Sequence, residues 1–178
     1  MSADLRLASA IQEWRHVLGA EHVWTDTRRL ATFQSATYHT PYQIPAVLRP
    51  ANIEQVVECL HIASHHGVPV HPISTGKNWG YGSATATHDN CVLLMLSRLN
   101  RIINFDERLA YVTVEPGVTQ RQLYDFLRSR NTNLVASVTG SSPESSLIGN
   151  VLERGARGRS ARRSLCPCLR IGGGAAHR

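Results

Sequence analysis

The residues with the clearest chemical potential in this 178-residue sequence lie in a glycine-rich stretch at positions 72–82. It reads Pro-Ile-Ser-Thr-Gly-Lys-Asn-Trp-Gly-Tyr-Gly and is preceded by a strand-like run. Glycines let backbone N–H groups approach a ligand closely, and concave arrays of such groups bind phosphate oxygens. Trp79 and Tyr81 place flat apolar rings beside those donors. These residue types suit a cofactor that carries both phosphate groups and an aromatic ring.

Two better-known nucleotide motifs do not fit this stretch. A Walker loop requires a glycine, four residues and then Gly-Lys-Ser/Thr. Here Asn78 follows Lys77, and His71 occupies the position of the first glycine. A Gly-x-Gly-x-x-Gly fingerprint fails because Thr85 occupies the position of its third glycine. On composition alone, an ordinary turn is as good an interpretation as a ligand loop, because glycine-rich turns are common.

Two further segments favour the interpretation as a ligand loop over an ordinary turn. They are Val-Glu-Pro-Gly-Val-Thr at residues 114–119 and Ser-Leu-Ile-Gly-Asn-Val-Leu-Glu-Arg-Gly at residues 146–155. In order and spacing, the three segments together resemble the vanillyl-alcohol oxidase / p-cresol methylhydroxylase flavoprotein family. The resemblance covers residues 45–155 and would supply only the first part of such an enzyme. It implies an α+β fold with an α/β-like first subdomain, namely an incomplete FAD-binding domain of the p-cresol methylhydroxylase type.

The same resemblance implies which residues would contact FAD. The first segment would wrap the pyrophosphate and continue toward the flavin, the second would line the adenine end, and the third would close over the ribityl chain and ring. The cofactor-binding residues expected from it are Ser74, Thr75, Gly76, Lys77, Asn78, Trp79, Gly80, Tyr81, Gly82, Pro116, Gly117, Val118, Ser146, Ile148, Gly149 and Asn150. Related flavoenzymes often tether FAD to a histidine where Asn78 stands, so no tether is expected from this loop.

The resemblance also implies a reaction. The full enzyme would pass a hydride from a para-substituted phenol or related alcohol to FAD, which supplies the difficult chemistry. In the resembled subgroup the catalytic residues come from a later domain, so none is assigned here and the chain alone is expected to be inactive. The alternative is the FAD-binding part of a D-lactate dehydrogenase or enolpyruvyl-sugar reductase type. The Asn-Trp-Gly-Tyr-Gly string favours the phenol-oxidising branch.

The basic charge of the sequence is confined to its last residues. The net charge is +6, but residues 1–150 hold 12 Lys/Arg and 12 Asp/Glu, whereas residues 151–178 hold seven Arg and one Glu. A basic tail can bind nucleic acid, so a non-enzymatic nucleic-acid binder is the rival interpretation from another class. Residues 156–178 have no core-facing period, and we predict a disordered, aberrant tail there.

That abrupt change of composition suggests that the tail is the correct DNA read in the wrong frame. Codons for residues 158–177, read from each second base, permit a Gly-Pro-x-Gly-Asp loop followed by an apolar strand. With free third bases this fit is permissive, so the shifted frame is a hypothesis. Resequencing the gene tests it: a one-base correction near codon 156 must open a long downstream frame.

The four cysteines predict neither disulfides nor a metal site. Cys59 falls in a helical pattern and Cys91 begins an apolar run, so both are expected to pack as small hydrophobes. Cys166 and Cys168 have the wrong spacing for a Cys-x-x-Cys site. The first residues do not resemble a signal peptide and no run is long enough to span a membrane, so a cytoplasmic protein is expected.

Three histidines, His61, His65 and His66, fall close together near one helix end. His61 and His65 are four residues apart, which would suit a metal-binding helix face. Without a carboxylate partner in view, we interpret all three as a solvated helix end.

Hydrophobic periodicity predicts the elements that position these segments. Residues 1–44 are expected to form a helix over positions 4–18, with Leu5, Ala8, Ile11 and Leu18 on its apolar side, and then an irregular arm over positions 27–45. A strand at 46–50, a helix capped by Asn52 and a strand at 68–73 predict a parallel βαβ unit. Ile53, Val56, Val57, Leu60 and Ala63 are the expected inner face of that helix. A buried strand at 91–96, a hairpin over 102–114 and a helix capped by Thr119 follow.

Overall fold

The computed structural model describes residues 3–34, 41–78, 84–136 and 141–152. The helices within these ranges are α1 (Ala3–Leu18), α2 (Thr27–Ala31), α3 (Ile53–His66), α4 (Gln120–Ser129) and α5 (Leu147–Leu152). The strands are β1 (Val23–Trp24), β2 (Val47–Leu48), β3 (Val70–Ile73), β4 (Val92–Met95), β5 (Ile102–Asp106) and β6 (Tyr111–Val114). The expected α+β fold class is confirmed. The predicted disordered tail, residues 156–178, lies outside the described ranges.

The main sheet has the strand order β1-β2-β4-β3. Strand β4 pairs in parallel with both β2 and β3, whereas β1 pairs antiparallel with β2. The predicted βαβ unit is therefore present as β2-α3-β3, with β4 inserted between its two strands. Strands β2, β4 and β3 all end at the same edge of the sheet, which is where open α/β sheets bind ligands. The chain leaves β3 at this edge and enters residues 74–78.

Helix α3 begins and ends at the residues expected from the sequence. The Asn52 side chain accepts a hydrogen bond from the backbone N–H of Gln55 at 2.8 Å, which satisfies one free donor of the first turn. Gly67 ends the helix with a φ of +63°, a left-handed conformation that costs glycine little. These two caps fix where the connection between β2 and β3 turns back toward the sheet.

Apolar side chains are packed on both faces of the sheet. One cluster contains Leu48, Val92 and Leu94 together with residues of α1 and α3. The other contains Leu93 and Met95 on the opposite face. This alternation follows from the two-residue period of a strand. Because β4 is buried on both sides, its sequence is continuously apolar, as expected for a central parallel strand.

The buried face of α1 differs from the predicted one. Leu5 is 59% exposed and Ala8 is also exposed, although both were expected to face inward. The structure buries Leu18 and packs Ile11 against the core as expected, but it also buries Ala10 and Trp14, which were not predicted. Trp14 is drawn inside because its ring packs in the core while its indole N–H donates to a carbonyl of α3 at 3.1 Å. The periodicity of apolar residues did not predict the burial of Trp14, because it took no account of an indole N–H that can donate a hydrogen bond inside the core.

The buried face of α3 also differs from the prediction. Ile53 is 63% exposed, Val57 44% and Leu60 46%. On the side where α1 packs, the expected Ala63 is buried and Val56 is partly buried, together with Cys59 and Ile62, which were not predicted. The sequence contained enough apolar residues for two stripes on this helix, and the position of α1 decides which stripe is covered.

His66 corrects the interpretation of the histidines. His61 and His65 are exposed, as expected, but His66 is only 8% exposed. Its Nε2 lies 2.9 Å from Glu13 Oε1, so the expected absence of a carboxylate partner is wrong for this residue. The pair connects α1 to α3. This contact could not be predicted from the sequence, because the two residues are far apart along the chain.

The arm expected to be irregular contains the short helix α2. Asp26 caps it by accepting a hydrogen bond from Arg29 N at 2.9 Å, and Leu30 is the buried residue of this helix. The sequence did not predict Asp26 as a cap, because a helix of only five residues has too short an apolar pattern to be recognised. Residues 35–40 of the arm lie outside the described ranges.

A smaller layer is built from the predicted hairpin β5–β6 and from α4. Leu123 and Leu127 of α4 form a cluster with Ala110 of the hairpin, and the rings of Phe105 and Phe126 meet edge to face at 5.3 Å. Among the residues that the structure describes, no helix is both long and apolar enough to cross a lipid bilayer. A cytoplasmic location stays a prediction.

Candidate cofactor-binding site

The three segments singled out in the sequence meet at Ser146. Residues 74–78 follow β3, residues 116–118 follow β6, and Ser146 directly precedes α5. Ser146 is completely buried, contacts Asn78 of the first segment and forms an antiparallel bridge with Thr119 of the second. We call this meeting point the Ser146 junction. It joins parts of the chain that are 68 residues apart.

One side of the junction is made by the side chain of Asn78. Its Nδ2 donates to Ser146 O at 3.0 Å, and its Oδ1 accepts from Ser146 N at 3.1 Å. Ser141 Oγ adds a bond to Lys77 O at 2.9 Å. These three hydrogen bonds tie residues 74–78 to the segment that leads into α5.

The other side of the junction is made by backbone hydrogen bonds to the start of α4. They run from Leu147 N to Val118 O at 3.1 Å, from Gln120 N to Ser145 O at 3.0 Å and from Arg121 N to Pro143 O at 2.9 Å. The Ser146 hydroxyl also accepts from Gly149 N at 2.8 Å and so caps the first turn of α5. The N-terminal turns of α4 and α5 are therefore held side by side.

Two glycines of the site are required by close approach within the protein. A Cβ at Gly149 would lie 2.8 Å from Asn78 Oδ1 and 3.0 Å from Ser146 Oγ. A Cβ at Gly117 would lie 2.5 Å from Leu96 O. Both glycines thus have a packing role, and their contact with FAD stays a prediction.

The loop after β3 has the features needed to receive a phosphate group. Gly76 has a φ of +68°, and a Cβ there would lie 3.2 Å from the Cβ of Ala84. The hydroxyl oxygens of Thr75 and Thr85 are buried and have no hydrogen-bond partner among the residues that the structure describes. Buried hydroxyl groups are costly unless bonded, and phosphate oxygens accept from such donors. With the exposed Lys77 beside them, these residues fit the pyrophosphate of FAD.

An ion pair braces the second segment. Both oxygens of Glu115 accept from Arg101: Oε2 from the backbone N–H at 2.8 Å and Oε1 from Nε at 2.9 Å. The Arg101 guanidinium holds the pKa of Glu115 below its ordinary value of 4.5, mainly through these side-chain hydrogen bonds. The pair fastens the end of β6 to the start of β5.

The remaining expected site residues fall into three groups. Val118 and Ser146 are completely buried, so their side chains serve the junction itself. Partly exposed positions are Ser74, Pro116, Ile148 and Asn150. Trp79, Gly80, Tyr81 and Gly82 lie outside the described residues. The assignment of all these residues to FAD stays a prediction.

Sequence reasoning missed several polar residues of this region. Thr85 lies beyond the resembling string and carried no signal. Gln120 is 6% exposed, and within the described part of the chain neither Oε1 nor Nε2 of its amide has a hydrogen-bond partner. Ser141 lies in a polar stretch before the third segment, which gave no sign of its hydrogen bond to Lys77 O. Gln120 directly follows the Thr119 cap, and its sequence position gave no sign that its amide is buried.

Metal chemistry finds no support in the described ranges, where no group of three or more His, Cys, Asp or Glu side chains could hold a metal ion. Burial raises the pKa of the Cys59 thiol to about 12 and also raises that of Cys91. Both thiols are therefore poor nucleophiles. Cys166 and Cys168 lie outside the described residues.

Comparison with known proteins agrees with this geometry. Residues 44–169 match the family described as FAD binding domain. The match runs past residue 155, and the domain boundary expected there stays a prediction. Over 149 residues the chain is 50% identical to 1'-carboxy-chondrochloren decarboxylase of Chondromyces crocatus, covering 84% of this chain and 28% of that protein.

Two further comparisons concern phenol-oxidising proteins. The chain is 33% identical over 152 residues to the 4-cresol dehydrogenase [hydroxylating] flavoprotein subunit of Pseudomonas putida, covering 82% of this chain and 29% of that subunit. It superposes on p-cresol methylhydroxylase with substrate bound at a TM-score of 0.76 and 31% identity, covering 84% of this chain and 30% of that one. The chain thus spans under a third of the length of these relatives. It belongs to the FAD-binding domain family and is related within it to p-cresol methylhydroxylase, with FAD as its cofactor.

Proposed function

We propose that this chain is the FAD-holding part of a flavin-dependent oxidoreductase that acts on para-substituted phenols or related alcohols. The observation that carries the proposal is the Ser146 junction, which places all three FAD-type segments side by side. The 33% identity to the 4-cresol dehydrogenase subunit supports the phenolic substrate class. FAD and a small phenol or alcohol are thus the proposed binding partners.

The chain's own residues would bind and orient the cofactor. Thr75 and Thr85 would donate hydroxyl hydrogens to the pyrophosphate, and Gly76 would let the backbone approach it. When bound, FAD would supply the hydride-accepting chemistry. We further propose that the chain alone turns over no substrate, because the part of the relatives that it does not span would supply the substrate contacts.

A second function is favoured by the comparison with the decarboxylase. The identity of 50% to 1'-carboxy-chondrochloren decarboxylase exceeds the 33% to the 4-cresol dehydrogenase subunit. The same FAD-holding part would then serve an enzyme that removes a carboxyl group. The residues of the Ser146 junction have the same roles in both candidates.

Titration of the purified chain with FAD tests the cofactor assignment. We expect saturable binding of one FAD and a visible flavin spectrum after removal of free cofactor. Salt-sensitive retention of DNA without flavin would instead favour the nucleic-acid interpretation. Dye reduction with a para-alkylphenol by this chain would contradict the proposed inactivity.

Chimaeras test the substrate class. Residues 44–152 would replace the aligned segment of the 4-cresol dehydrogenase subunit in one chimaera and of the decarboxylase in another. At equal FAD content, we expect the first chimaera to oxidise 4-cresol. Activity restored only in the decarboxylase chimaera would reject the phenol oxidation and support the second candidate.

A further inference from the structure

We propose that Asn78 is a positioning residue, whose side-chain amide latches residues 74–78 to the first turn of α5 and so sets the spacing of the two walls that receive FAD. The hydrogen bonds of the latch are formed between protein groups alone. Its effect on FAD rests on the proposed function.

The latch uses both ends of one side chain. The Asn78 carboxamide donates to Ser146 O at 3.0 Å and accepts from Ser146 N at 3.1 Å, as a neighbouring peptide group in a sheet would. Ser146 is completely buried, so water cannot easily replace either bond. A loop and a helix that are distant in sequence are thereby held in one fixed register.

The chemistry of the latch requires an amide. An aspartate in place of Asn78 would keep an acceptor for Ser146 N but would place an oxygen opposite Ser146 O, where a donor is needed. Alanine would remove both partners. An Asn78→Asp substitution, close to asparagine in size, therefore separates loss of the hydrogen-bond pattern from loss of volume.

The residues around the latch are fitted to it. Gly149 leaves room for Asn78, because a Cβ at Gly149 would lie 2.8 Å from Asn78 Oδ1. Gly149 N donates to Ser146 Oγ at 2.8 Å, so the residue that makes room also belongs to the capped turn. Loss of the latch is therefore expected to loosen the whole first turn of α5 and not Ser146 alone.

Apolar packing cannot substitute for the latch. In residues 141–152 the buried positions are Ser145 and Ser146, and Leu147 is only partly buried against the cluster of α4. The distance between the two walls thus depends on hydrogen bonds. Walls that are already positioned bind a cofactor without the entropy cost of ordering them, so the latch is expected to raise FAD affinity without touching FAD.

Amide hydrogen exchange on the 178-residue chain without FAD tests the latch itself. In the Asn78→Ala and Asn78→Asp variants we expect exchange at Gly149, whose N–H does not contact Asn78, to accelerate at least about tenfold. Exchange at Leu94 in the sheet should stay unchanged. The matched control is Asn104→Ala, which removes the hydrogen bond that the Asn104 side-chain amide donates to the Tyr111 hydroxyl in the hairpin. Acceleration confined to Ser146, or absent, would overturn the latch.

FAD titration of the same variants tests the consequence. We expect both Asn78 variants to weaken FAD binding about tenfold, with the Asn104→Ala control unchanged. Gly149→Ala should weaken FAD binding in the wild-type background. It should weaken binding much less in the Asn78→Ala background, where the Asn78 side chain that the new Cβ would meet is absent. Unchanged FAD affinity in the Asn78 variants would overturn the positioning role. If the wild-type chain binds no FAD, the proposed function and this role both fail, while the exchange result still decides the latch.

Discussion

The sheet region and the Ser146 junction are stabilised in different ways. The sheet with α1 and α3 buries Trp14, Leu48 and Leu93 among other apolar side chains. The junction buries Ser145 and Ser146, and its contacts are hydrogen bonds between segments. The comparison teaches that the architecture rests on packing, whereas the proposed cofactor walls rest on the geometry of polar groups. Substitutions in the two regions should therefore affect different properties.

The largest expected loss of stability is in the sheet region. Trp14→Ala removes a fully buried ring and its bond to Cys59 O, and should lower the free energy of unfolding by about 3–5 kcal/mol. Urea unfolding measures the change. Leu5→Ala on the same helix is the control, because Leu5 is 59% exposed, and it should change stability by less than about 0.5 kcal/mol. Similar losses in both variants would contradict the assigned buried face of α1.

The largest expected loss of cofactor is in the loop after β3. Gly76→Val places a branched side chain at a φ of +68° and against Ala84, and FAD binding should fall below detection. Gly67→Val is the matched control, since Gly67 has a φ of +63° at the far end of α3. It should lower stability but leave FAD affinity unchanged. Undiminished flavin in the Gly76 variant would reject the pyrophosphate assignment.

A pH effect is expected at the ion pair that braces the second segment. Arg101 lowers the pKa of folded Glu115 below its ordinary value of 4.5, so the unfolded chain binds this proton more readily. The contribution is complete above pH 4.5 and is lost as pH falls from there through the lowered folded pKa. Chemical unfolding between neutral and acid pH measures it. Glu115→Gln should be less stable at neutral pH and show a flatter pH dependence. An identical acid slope would contradict this role for the pair.

The smallest expected effect is at the cap of α4. The Thr119 side chain accepts from Gln122 N at 3.2 Å, and the Gln122 side chain accepts from Thr119 N at 2.9 Å. Thr119→Ala should lower the free energy of unfolding by about 1 kcal/mol, while Thr119→Ser should nearly restore it. A Thr119→Ser variant as unstable as Thr119→Ala would show that the hydroxyl is not what matters.

The sequence revealed the sheet region and the junction by different routes. Strand periods and the Asn52 cap were sufficient to predict the βαβ unit, because these signals are local. The inner faces of α1 and α3 were only partly correct, since the contact between two helices decides which apolar stripe is covered. His66 was misjudged for the same reason, because its partner Glu13 is remote in sequence.

The candidate site was predicted through resemblance and not through its physical contacts. The three segments that predicted it do lie together, but the pairing of Asn78 with Ser146 is invisible in sequence because it joins residues 68 positions apart. Thr85 and Gln120 had no signal of their own, since an unpaired buried group is recognised only once the fold is known. Local patterns can thus predict the loops but not which polar groups join them to the rest of the site by hydrogen bonds.

The central claim is that residues 74–78 and 146–150 are two walls of one FAD site. Its most direct test is an NMR titration of the chain with FAD, followed through assigned backbone amides. We predict that amide resonances of both segments shift together and saturate at one FAD per chain, while those of α1 remain in place. Shifts confined to one segment, or FAD binding that leaves both segments unmoved, would contradict the claim.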